Sequence, residues 1–111
     1  MGTNVFKLNE SGKYQIVDYI KSDEEIDKET FAKIKAKYPD EPVSGLPLEI
    51  KMLRKGIVNP QDADFAAYNN FVSKCRDEGA TTKATNAAKL ATLKQITLTE
   101  GTMNRIIYVV E

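Results

Sequence analysis

Apolar and polar positions alternate in the period of strands over the first twenty residues. Val5 to Leu8 and Tyr14 to Ile20 form two such runs, separated by the polar stretch Asn9-Glu10-Ser11-Gly12-Lys13. Gly12 can take the positive φ that a tight turn demands, so the segment predicts a β-hairpin. The pattern then changes. Ser22 with Glu25 three residues on has the spacing of a capping box, and Asp23, Glu24, Glu25 and Asp27 gather where a helix dipole favours negative charge. Phe31, Ile34 and Tyr38 share one face of the predicted helix, and Pro39 ends it. A helix starting only at Asp27 fits the same residues.

Residues 39–46 hold Pro39, Pro42 and Gly45 and read as a connector. Pro47 suits the first turn of a second helix, in which Leu46, Ile50, Leu53 and Ile57 form a stripe expected to be buried, with Gly56 as its stop. Asn59-Pro60 has the chemistry to open a third helix. Phe65, Tyr68, Val72 and Cys75 line one face, Ala67 and Phe71 lie beside it, and Gly79 is the expected end. Residues 80–94 read as a loop followed by a short helix, and a strand from near Leu90 is the competing assignment. A second hairpin follows, with Ile96 to Thr99 and Arg105 to Val110 flanking a turn at residues 100–104.

These elements predict a single α+β domain over residues 1–111. The expected sheet is small and mainly antiparallel, with about four strands from the N-terminal and C-terminal hairpins. Three to four helices between them are expected to pack on one sheet face.

Two strands carry more apolar residues than one covered face requires. In the last, Ile106, Tyr108 and Val110 oppose Ile107 and Val109; in the second, Tyr14, Ile16 and Ile20 oppose Val17 and Tyr19. A continuous apolar run is characteristic of a strand covered on both sides. Either residues 80–94 cross the second face, or another protein or a second copy covers it. Tyr19, Ile107, Tyr108 and Val109 are the candidate interface residues.

Composition narrows the chemistry. The 111 residues include no histidine and one cysteine, Cys75. Ser-His and Cys-His nucleophile pairs, histidine-containing zinc sites and an intrachain disulfide are therefore excluded. Cys75 lies between Lys74 and Arg76, yet its helical position favours a small buried apolar role. The six glycines form no phosphate-binding loop. No catalytic residue, cofactor or metal site is assigned. The acidic group at residues 23–27, the Asp62/Asp64 pair and Asp40-Glu41 read as helix starts and a surface turn.

Sixteen basic and sixteen acidic residues cancel, so the chain lacks the cationic excess of most nucleic-acid binders. Lys83, Lys89 and Lys94, in a stretch free of acids, are the candidate contacts for that less favoured partner, with a strand tyrosine to stack on a base. No apolar run reaches membrane-spanning length, and a reducing cytoplasm is the expected location. The leading expectation is a non-enzymatic interaction or assembly protein, forming a homodimer or joining a larger complex.

Overall fold

The first hairpin forms where the alternation places it. β1 runs Thr3–Leu8 and β2 runs Tyr14–Ile20. Between them the Asn9 side chain accepts hydrogen bonds from the Ser11 and Lys13 amides, both at 3.0 Å, while Gly12 adopts φ 79°. The computed structural model describes all residues from Met1 to Glu111.

Helix α1 runs Asp23–Lys37, starting where the capping box indicates rather than at Asp27. The Glu25 amide donates to Ser22 Oγ and the Ser22 amide donates to Glu25 Oε1, each at 3.3 Å. Helix α2 runs Leu48–Val58, and α3 runs Ala63–Thr92 without interruption. The second hairpin pairs β3, Lys94–Glu100, with β4, Met103–Val109. Its turn is only Gly101-Thr102, tighter than expected, with Gly101 at φ 61° as the short reversal requires.

The chain divides into two compact units, one made of Met1–Ile26 with Thr82–Glu111 and the other of Asp27–Thr81. The first holds a four-stranded sheet in the order β2-β1-β4-β3. Each hairpin is antiparallel, but β1 and β4 meet in parallel, with Val5 beside Tyr108 and Phe6 beside Val109. The fold is α+β with a mixed sheet, which corrects the mainly antiparallel expectation. The cause is the helical segment between the hairpins: it returns the chain so that β4 enters beside β1 in the same direction.

The second unit is helical. Ile34, Met52, Tyr68, Val72 and Cys75 form its buried cluster, with Tyr38, Leu48 and Phe71 packed against them. The Tyr38 and Tyr68 rings meet edge-on, with centroids 4.9 Å apart. Aromatic edges carry positive potential and faces negative, so this arrangement is favourable beyond the area it buries.

Four helical expectations are corrected. Ile50, Leu53 and Ile57 are exposed, Ile57 at 82%, because α2 turns Met52 and Gly56 inward instead. Gly56 is no stop: a Cβ there would collide with the Phe65 ring, so its missing side chain lets that ring approach. Phe31 likewise faces water while Ile34 on the same helix is buried. Finally, α3 starts at Ala63, where the Asp62 side chain accepts the Phe65 amide at 3.0 Å, and it passes through buried Gly79 rather than ending there. A glycine costs an internal helical position only about 1 kcal/mol, which the alanine-rich stretch from Ala80 to Ala91 offsets. The expected loop after Gly79 and the competing strand from Leu90 are both absent.

Candidate interaction surface

The sheet has two chemically different faces. Register puts Val5, Ile20, Tyr108 and Val110 on one side. The last turns of α3 border this Val5 face: Lys89 Nζ meets Asp18 Oδ2 at 3.2 Å, and Asn86 Nδ2 donates to the Lys21 carbonyl at 3.3 Å. A cavity of about 360 Å³ lies there, walled by Val5, Val17, Ile20, Leu93 and Val110, with the Lys89–Asp18 pair beside them.

The opposite side carries Phe6, Leu8, Ile16, Ile96, Leu98, Ile107 and Val109. Ile107 and Val109, on a central strand, are buried. Phe6, Ile96 and Leu98 are half-buried, while Leu8 and Ile16 are 51% and 58% exposed. The Arg105 guanidinium lies 5.5 Å from the Phe6 ring centroid, so a cation sits against this largely apolar surface, with Lys94 and Glu100 at its β3 end.

A bulge decides which residues join this Phe6 face. Val5 pairs with Asp18 and Phe6 with Ile16, leaving Val17 as the extra residue. Its insertion reverses the side-chain alternation, so Tyr19 lies on the face of Tyr14 and Ile16, and Ile20 lies opposite. Strict alternation placed Tyr19 and Ile20 the other way round. The adjacent apolar pair Ile16-Val17 was the only sequence signal of the bulge.

Tyr19 is 44% exposed and held at both ends of its hydroxyl. That oxygen accepts the Gly2 amide at 2.8 Å, and the hydroxyl donates to Glu25 Oε1 at 2.5 Å. Bonding to the carboxylate pushes the Tyr19 phenol above its usual range, and the same bond holds Glu25 below the ordinary carboxylate range. Asp18 is also held low, first by the Tyr19 amide that its Oδ1 accepts at 2.8 Å and then by Lys89.

The other candidate residues are placed as follows. Tyr108 is half-buried on the Val5 face, away from Ile107 and Val109, so the four interface candidates do not share one face. Lys83 and Lys89 are on α3 and Lys94 begins β3, with Lys89 committed to Asp18. Asp64 pairs with Lys55 at 2.6 Å, Glu41 pairs with Lys51 at 2.9 Å, and Asp40 pairs with Lys35. Among the acidic positions, Glu25 and Asp62 thus cap helices and Asp40, Glu41 and Asp64 form ion pairs, and no three His, Cys, Asp or Glu side chains are grouped to hold a metal ion. Cys75 is buried in the helical cluster. No helix is long and apolar enough to cross a membrane.

Sequence reasoning missed the importance of β3. Lys94 was read as the end of the preceding segment and the strand as starting only at Ile96, yet β3 starts at Lys94 and forms one edge of the sheet. Compared with known protein families, curated proteins and solved structures, the chain shows no match.

Proposed function

We propose that the protein is a non-enzymatic interaction or assembly factor that works through the Phe6 face of its sheet. The observation carrying this reading is the run of Leu8, Ile16, Phe6, Ile96 and Leu98 on one face, with its β2 end well exposed. Covering a contiguous apolar surface removes it from water at roughly 25 cal/mol per Å². A partner that supplies an apolar complement there gains that stabilisation, and the Arg105 cation beside Phe6 adds a directional element.

The test compares wild type with Ile16→Lys and Leu8→Lys by light scattering and by capture of binding proteins from a native lysate. Both side chains are exposed, so the fold should tolerate the lysines. Association through this face, read as capture of a partner or as assembly beyond a dimer by wild type and lost in both variants, is the expected result. A wild-type protein that neither self-associates nor captures a partner would sink the reading.

A further inference from the structure

We propose that β3 is a homodimerisation edge, and that two copies join antiparallel about a two-fold axis at Thr97. This rests on the assembly reading above and names its partner as a second copy of the chain. The sheet has two edges, and they are not equivalent. On β2, the Val17 bulge breaks the regular ladder and Asp18 Oδ1 already occupies the Tyr19 amide. Bulges and charged side chains are common devices against edge pairing. β3 has neither a bulge nor a proline: every residue from Lys94 to Glu100 pairs in unbroken register with β4.

The register of a self-paired edge follows from the hairpin. With a turn of two residues, the closing pair Glu100–Met103 exchanges backbone hydrogen bonds, and bonded pairs then alternate along the ladder. Lys94, Ile96 and Leu98 therefore bond inward with Glu100, while Gln95, Thr97 and Thr99 turn their amides and carbonyls outward. A two-fold axis at Thr97 sets Thr97 against its own copy and Gln95 against Thr99 at both ends. That arrangement satisfies all the outward backbone groups of the strand with about six hydrogen bonds. Axes at Gln95 or Thr99 would also match donors to acceptors, but they leave much of the strand unpaired.

The side chains are complementary in this one register. Lys94 falls opposite Glu100 of the second copy, and Ile96 falls opposite Leu98, each twice by symmetry. These are the non-hydrogen-bonded positions, where side chains across an antiparallel pair approach most closely. Neither Lys94 nor Glu100 makes an ion pair within its own chain. Lys94, Ile96 and Leu98 lie on the Phe6 face, so pairing would join two apolar faces into one continuous surface.

Sedimentation equilibrium on the full chain at micromolar concentrations tests the proposal. Wild type should dimerise. Lys94→Glu and Glu100→Lys should each weaken dimerisation about tenfold by setting like charges opposite each other, and the double variant K94E/E100K should restore it. Thr97→Pro should abolish dimerisation while leaving the circular dichroism spectrum unchanged, because the amide it removes points away from β4. Monomeric wild type would overturn edge pairing but leave the Phe6 face to be judged by lysate capture. A dimer that survives Thr97→Pro and is lost in Ile16→Lys would overturn the edge and retain the face. Failure of the charge swap to restore association would overturn the register, even if the proline variant did not fold.

Discussion

Gly56 is the residue on which the orientation of α2 depends. Its backbone approaches the Phe65 ring so closely that no Cβ fits between them, and the glycine itself is buried. Alanine normally favours a helix over glycine by about 1 kcal/mol. Here the collision should reverse that sign, because overpacking a filled contact costs about 1–3 kcal/mol. Gly56→Ala should therefore lower stability in urea unfolding, and pairing it with Phe65→Leu should recover part of the loss. Tyr19 provides a second test through pH. Glu25 is held below the ordinary carboxylate range by the Tyr19 hydroxyl, so its contribution is present above the unfolded carboxylate pKa and is lost as pH falls through the folded one. Tyr19 is raised, so its own contribution holds below the unfolded phenol pKa and disappears as pH rises through the folded one. Tyr19→Phe should flatten both limbs of a stability–pH profile followed by thermal unfolding.

At the scale of elements, the sequence was most readable where the local signal agreed with the packing. The first hairpin follows from alternation and the second from apolar runs flanking a polar turn, and α1 begins where Ser22 and Glu25 reciprocate their hydrogen bonds. The face of α3 followed from Tyr68, Val72 and Cys75 at helical spacing. What failed is instructive. Ile50, Leu53 and Ile57 form a more apolar stripe than Met52 and Gly56, yet the latter are buried, because backbone approach at a glycine is invisible to hydropathy. Gly79 likewise looks like a helix end until the stability of the following alanines is counted. The parallel β1–β4 contact was unreadable because no local residue pattern encodes strand order. Half of the Phe6 face was legible as doubled hydrophobicity in β4, but β2 was misassigned past Val17, where one extra residue inverts the alternation. Deleting Val17 should leave every β1–β2 partner in place, since two residues there oppose one. It should also straighten the β2 edge and remove a guard against strand addition. Light scattering of the deletion variant should show more aggregation than wild type at unchanged strand content by circular dichroism.

For the whole molecule, the missing histidine has an electrostatic consequence. Between the carboxylate range and the range of terminal and side-chain amines and thiols, roughly pH 5.5 to 7, no ordinary group titrates except histidine. This chain has none, and its acids and bases balance at sixteen each. Net charge should therefore remain close to zero across that interval, giving a plateau around the sequence pI of 6.3 rather than a narrow crossing. Asp18, Glu25, Glu41 and Asp64 are all held below their usual range, so they stay ionised further into acid and make the rise of positive charge below the plateau less steep. Without net charge, copies lack the long-range repulsion that would oppose contact between exposed apolar surfaces. Attraction between molecules, read as the second virial coefficient from static light scattering, should thus stay nearly constant from about pH 5.5 to 7. It should turn repulsive only at lower pH, as carboxylates protonate and the sixteen basic residues dominate. A sharp maximum or a sigmoidal change inside the interval would contradict this account, because it would require a titrating group that the chain does not possess.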